Sequence, residues 1–183
     1  AVRGVSLTLD RGETLGIVGE SGCGKSSLAY ALAGLVAPAA GAVRRRGGAD
    51  DGHRHVQIVF QDPMGALNPR LTVGQALDEV LVVHRAHNSL DRQGRARRVG
   101  ELLTRVGLGE AFTDRYPHQL SGGQRQRVGI ARALAVDPAA VIADEPVSAL
   151  DVSIQVQVLN VLRGLVAEQG LGLILIAHDL AVV

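Results

Sequence analysis

Short apolar runs set the rhythm of this chain. In "GVSLTLDRGE" (4–13), Val5, Leu7 and Leu9 alternate with Ser6 and Thr8, which predicts a half-buried strand closed by a turn at Asp10, Arg11 and Gly12. "TLGIVG" (14–19) is continuously apolar apart from its first residue and reads as a strand buried on both faces. Leu28, Ala31, Leu32 and Leu35 then recur at helical spacing. "VQIVF" (56–60), "AVIAD" (140–144) and "LGLILIA" (171–177) are further short strands. Between the last two, Ile154, Val158, Leu162 and Leu165 form a helical stripe with Asp151 at its N-cap. Strands alternating with helices predict an α/β fold with a mainly parallel sheet.

Residues 63–132 break that rhythm. Thr72 and Gln75 have capping-box spacing ahead of Val73, Leu77, Val80 and Leu81, and an Arg-rich segment carries Val99, Leu102, Leu103 and Val106. These are helices without intervening strands. The expected division is an α/β core over 1–62 and 133–183, with a helical subdomain inserted over 63–132. The stretch 39–55 is loop-like, and no internal repeat is visible.

Composition narrows the function. The chain has 183 residues, 46% of them apolar and 20% charged, with a net charge of +1. That balance fits one domain with a real core and argues against a strongly basic nucleic-acid binder. Two Tyr and two Phe, with no Trp, supply few platforms for stacking bases. The single Cys23 has no internal disulfide partner, which favours a reducing compartment. No signal-peptide pattern is visible, and no apolar run reaches the ~20 residues that span a bilayer.

"GESGCGKSS" (19–27) fits G-x-x-x-x-G-K-[ST] and sits between a predicted strand and a predicted helix. Its glycines let backbone N–H groups turn inward around phosphates, the helix start adds a positive dipole end, and Lys25 reaches the outer phosphates. The Ser26 hydroxyl is a candidate Mg²⁺ ligand. The nucleotide-binding set here is Gly19, Glu20, Ser21, Gly22, Cys23, Gly24, Lys25, Ser26 and Ser27, with Cys23 contributing backbone. "VIADEP" (141–146) ends a buried strand on two carboxylates, giving Asp144 to the Mg²⁺ water shell and Glu145 to general-base work. Gln61 and His178 each follow a predicted strand. Gln61 is a candidate for Mg²⁺ or the attacking water, and His178 for a γ-phosphate. "LSGGQRQR" (120–127) is a second anion-binding helix start. The arginines at 92, 95, 97 and 98 read as a solvated helix face, Arg44 to Arg46 as an exposed loop, and the remaining histidines lack metal-site spacing.

In this order, "GESGCGKSS", Gln61, "LSGGQRQR", "VIADEP", "SALD" and "AHD" resemble the nucleotide-binding subunit of an ABC transporter over nearly the whole chain. "FQDPMGALNPRLTVGQAL" (60–77) and "DEPVSALDVSIQVQVLN" (144–160) are similar to the peptide and nickel import branch. The resemblance implies a P-loop NTPase, RecA-like core that binds ATP with Mg²⁺. It implies two such subunits, alike or different, sandwiching two ATP molecules. Each ATP then lies between Lys25 of one chain and Ser121, Gly122, Gly123 and Gln124 of the other, with Asp151 connecting the sites. It also implies membrane-spanning permease partners, a peripheral place on the cytoplasmic face of the membrane, and no direct nucleic-acid partner. The resemblance further places an adenine-stacking aromatic upstream and more strands downstream, so the chain is read as truncated at both ends. Two rivals stay open at this level: a soluble ATPase of the same type acting on nucleic acid or ribosomes, and a non-catalytic fragment.

Overall fold

The computed structural model describes residues 2–45, 56–62, 65, 67–84 and 90–179. Its elements, in chain order, are β1 (Thr14–Val18), α1 (Lys25–Ala33), β2 (Val56–Val59), α2 (Val73–Val83), α3 (Arg92–Arg105), α4 (Gly122–Leu134), β3 (Ala140–Asp144), α5 (Val152–Gln169) and β4 (Gly172–Ala177). Two short 3-10 turns, Glu110–Phe112 and Pro117–Gln119, lead from α3 to α4.

All four strands are parallel, in the order β1-β4-β3-β2. The register sets Val18 beside Ala177, Ile176 beside Asp144, and Ala143 beside Val59. The segments that leave the strands therefore start along one edge: the glycine loop after β1, Gln61 after β2, Glu145 after β3 and His178 after β4. Parallel α/β sheets bind ligands outside the carboxyl ends of their strands.

Burial follows from this order. β3 and β4 are central and nearly all buried, as their continuous apolar runs require. Their side chains divide between two cores. Val141, Ala143, Leu173 and Leu175 join the larger one with Leu77, Leu102, Leu134 and Leu162, while Ile142, Ile174 and Ile176 face α1 with Ala29 and Ala33. β1 corrects an expectation. It lies at the edge, so only Leu15 and Ile17 are half-buried and Val18 stays exposed. The predicted strand over 4–13 is likewise not in a ladder: no strand among the described residues pairs with it, although Leu9 packs against the α1-side core.

α1 forms where the spacing predicts a helix, but its most buried positions are not the leucines. Its buried face is Lys25, Ala29 and Ala33, spaced four apart, and Leu35 lies beyond the Gly34 cap with 56% of its surface exposed. Alanines let the helix backbone approach the sheet closely. α2 and α3 follow their patterns: Val73, Leu77 and Leu81 are buried, as are Val99, Leu102 and Leu103. The expected boundary between 132 and 133 falls inside α4, whose side chains pack in the same core as the sheet. The arginine face is also less solvated than expected. Arg95 pairs with Asp78 of α2 at 2.7 Å, and Arg98 reaches Asp137 at 2.6 Å and Glu101 at 3.0 Å. Arg45 donates to the Leu32 carbonyl at 2.8 Å, while Arg46 lies outside the described residues.

The capping box of α2 forms as its spacing predicts. Thr72 Oγ1 accepts from the Gln75 N–H at 3.3 Å, and Gln75 Oε1 accepts from the Thr72 N–H at 2.9 Å. Thr72→Ala is expected to remove about 1 kcal/mol of stability. Urea unfolding checks this, and an unchanged midpoint would show that the cap contributes nothing here.

Candidate functional site

The glycine loop is built by glycines that no other residue replaces cheaply. Gly22 and Gly24 hold φ of 80° and 104°, the left-handed region that costs glycine little. They turn the chain so that Lys25 opens α1. The Lys25 ammonium is 8% exposed and donates to the carbonyls of Gly19 at 2.7 Å and Glu20 at 3.0 Å. Its own loop thus satisfies a buried cation. Anionic oxygens compete well for such an ammonium, since bonds between charged groups are about twice as strong as neutral ones.

Glu145 is where the strand ends converge. Its backbone sits at φ 47°, unusual for a residue with a side chain, and its N–H donates to Ile176 O at 3.0 Å. A left-handed non-glycine residue costs on the order of 1–3 kcal/mol and persists where neighbours over-determine it. Here the turn out of β3 swings the carboxylate back across the strand ends. Gln61 Nε2 donates to Glu145 Oε2 at 3.1 Å, Lys25 Nζ is 3.9 Å from Oε1, and His178 Nδ1 is 4.0 Å from Oε2. Asp144 is 6% exposed, at the last position of β3. Four expected site residues, from four separate segments, therefore meet at one carboxylate.

Ser148 was not singled out from sequence. Its Oγ accepts from Gln61 Nε2 at 3.1 Å and donates to the Glu145 carbonyl at 3.1 Å, bracing both. Gln155 is a second such residue: its Nε2 donates to Val147 O and Leu150 O, at 3.1 and 3.0 Å, fastening the loop before α5. The serine three positions past a strand-end glutamate was the available signal for the first. Nothing in the linear pattern marked the second.

The second anion-type helix start is well formed. Ser121 caps α4 in a reciprocal box, with Oγ accepting from the Gln124 N–H at 3.3 Å and Gln124 Oε1 accepting from the Ser121 N–H at 2.9 Å. Arg125 Nη1 ties the approach down by donating to Leu120 O at 2.6 Å. Neither the bonds of Lys25 nor those of the Ser121 cap reach the other loop. The two anion sites are not brought together within one chain. A cavity of about 140 Å³ separates Gln61 and Asp62 from Gly122, Arg125 and Gln126, with Pro146, Ala149 and Leu150 around it. Asp151 stands at the N-cap of α5 as expected, but its exposed side chain makes no capping bond among the described residues. Its carbonyl instead accepts from Ile154 and Gln155. Burial lowers the pKa of Arg127, whose guanidinium also donates to Gly107 O at 3.0 Å.

A parallel sheet with a phosphate loop after an edge strand and paired carboxylates after a central one defines a P-loop NTPase core. Comparison with known proteins takes the identification further. Residues 2–148 match the family described as ABC transporter, and the chain belongs to that family. It is 52% identical to the oligopeptide transport ATP-binding protein OppF of Salmonella typhimurium, over all of this chain and 57% of that protein. It is 48% identical to the dipeptide transport ATP-binding protein DppF of Escherichia coli, again over all of this chain and 57% of the relative. Among solved structures, the MJ0796 cassette bound to ADP and Pi, a dimer, superposes with a TM-score of 0.78 at 34% identity, covering 96% of this chain and 79% of that one. The cbiO1 protein of Clostridium perfringens, part of the cbiONQ transporter complex, gives 0.85 at 30% identity, covering 100% and 74%. The chain spans a little over half the length of the curated relatives it matches.

Proposed function

We propose that the protein containing this chain binds and hydrolyses ATP to drive peptide import through membrane-spanning partner subunits. The observation that carries this is the meeting of Lys25, Gln61 and His178 at Glu145, on the carboxyl edge of a parallel sheet. The named relatives handle oligopeptides and dipeptides, which selects peptides from the solute classes that the sequence suggests.

Each residue has a role in this reading. The inward N–H groups of 19–27 and the Lys25 ammonium hold the phosphates. Glu145 takes a proton from the attacking water as its oxygen bonds to the γ-phosphorus and ADP leaves. Gln61 and Ser148 hold Glu145 in place, and His178 donates to a γ-phosphate oxygen. The hard oxygen donors of Ser26, Gln61 and Asp144 suit Mg²⁺, which is commonly held by one or two carboxylates together with substrate phosphates. Asp144 would act through water. When bound, Mg²⁺ neutralises charge on the phosphate oxygens. Ser121, Gly122, Gly123 and Gln124 complete the ATP site of a second, like or sister, subunit.

Among the described residues no helix is long and apolar enough to cross a membrane. In this reading the membrane-spanning partners supply the path. The helical segment 63–132 passes the movement to them. A hollow of about 460 Å³, lined by the exposed Leu35 and Phe60 together with Val80 and His84, is the surface we assign to that contact. On this reading the protein works at the cytoplasmic face of the membrane.

Binding of MgATP to the complete protein tests the reading directly. Lys25→Ala is expected to weaken it about ten- to a hundredfold, the value of a lost charge-assisted hydrogen bond. Calorimetry that finds equal affinity in both forms would overturn the assignment. Stimulation of turnover by RNA, rather than by reconstituted membrane partners, would overturn the transport reading.

A further inference from the structure

Gly122 and Gly123, at the start of α4, are packed against their own chain. A Cβ added at Gly123 would run into Ile154 Cγ2, and one at Gly122 would lie 3.0 Å from Leu150 Cδ2. Carbon atoms in good contact stand about 3.5–4.0 Å apart, so position 123 has no room for a methyl. Ile154 cannot give way easily. Its Cγ2 sits on a β-branched carbon in the first turn of α5, where one χ1 rotamer dominates. Its N–H is bonded to Asp151 O at 2.9 Å, and Leu150 O is held by Gln155. The Asp151 side chain makes no capping bond, so this corner is placed by backbone bonds, Gln155 and the contact with α4.

We propose that Ile154 is a positioning residue that acts through Gly123, locking the start of α4 to the corner that carries Asp151. Ser121 and Asp151 then travel as one piece. A shift of Ser121 toward a partner's nucleotide moves Asp151 with it. The glycine at 123 is needed for this seat, apart from any bond that its N–H makes to phosphate.

The activity arm of the test rests on the ATP reading above. In the complete protein, Gly123→Ala is expected to lower kcat about 100-fold, the cost of roughly 1 Å of misplacement, with KM for ATP little changed. Adding Ile154→Ala clears the Cγ2 atom and should bring kcat back to within about tenfold of wild type. Adding Ile154→Val keeps a β-branched methyl and should not. A Gly123→Ala/Ile154→Ala double variant no faster than Gly123→Ala would overturn the proposal, because the new methyl would then be striking the nucleotide. Rescue by Ile154→Val would overturn it as well.

Melting temperatures of the same variants need no hydrolysis. Gly123→Ala is expected to lower Tm by about 4 °C, and the double variant should lose less than the two single changes added together. Additive losses would overturn the seat. Coupled Tm without recovery of kcat would leave the contact structural and overturn the positioning role. A wild-type protein that binds no ATP would instead overturn the functional reading and leave the melting arm to decide this one.

Discussion

Glu145→Gln is expected to slow ATP turnover by about 10²–10⁴-fold, the usual value of a general base, while leaving the nucleotide bound. Glutamine has the same shape as glutamate. It keeps the contact with Gln61, which can donate to an amide oxygen as it does to Glu145 Oε2 at 3.1 Å. It cannot take the proton from water. It also removes a negative charge that lies 3.9 Å from the Lys25 ammonium, which leaves that cation freer to hold phosphate. The two changes act in the same direction: tighter holding and no release. A dimer with ATP trapped between its halves should therefore accumulate with MgATP. Single-turnover hydrolysis and size-exclusion chromatography of the complete protein read both effects. Turnover within tenfold of wild type would remove Glu145 from the base role and turn attention to His178, whose Nδ1 lies 4.0 Å from the same carboxylate.

That the sequence points to both Asp144 and Glu145, but not to how they diverge or to Ser148, has a physical reason. A buried apolar run ending in Asp-Glu fixes where a strand stops, and strand periodicity buries one residue of the pair. Asp144 completes β3 and is buried, and Glu145 leaves the strand at φ 47° to cross the sheet edge. That reversal is tertiary. It depends on the Glu145 N–H finding Ile176 O on β4. The same holds for Ser148, whose partners Gln61 and Glu145 come from distant segments.

The strands of the sheet were legible where they are central and less so where they are not. "AVIAD" and "LILIA" are buried by neighbours on both sides, so composition suffices. "TLGIVG" has a similar composition but lies at the edge, and burial there is decided by pairing. In α1 the helix was legible but its most buried face was not, because alanine is a weak marker of an apolar face, although a small side chain is what close helix–sheet packing selects. Gly122 and Gly123 were read only as part of an anion-binding helix start. Their other face, against Leu150 and Ile154, depends on which helix lies beside them, and spacing does not carry that.

Ser121→Arg should separate the two anion sites cleanly. Ser121 Oγ accepts from the Gln124 N–H at 3.3 Å, and arginine offers no acceptor to replace it. Losing the cap costs the start of α4 about 1 kcal/mol. The larger effect is electrostatic and steric. A guanidinium placed at the positive end of a helix opposes the macrodipole and fills the space that another subunit's phosphate would occupy. None of this touches the Lys25 ammonium, whose partners are Gly19 O and Glu20 O, so nucleotide affinity at the phosphate loop should stay within a few-fold of wild type. ATP-driven dimerisation should be lost, and hydrolysis should fall to near the level of Glu145→Gln. Ser121→Ala separates the causes, since it removes the cap but adds neither bulk nor charge. If Ser121→Ala loses dimerisation as fully as Ser121→Arg, the cap alone holds the site. If Ser121→Arg turns over ATP normally, the two helix starts are not halves of one composite site, and α4 begins with a capped serine for its own stability alone.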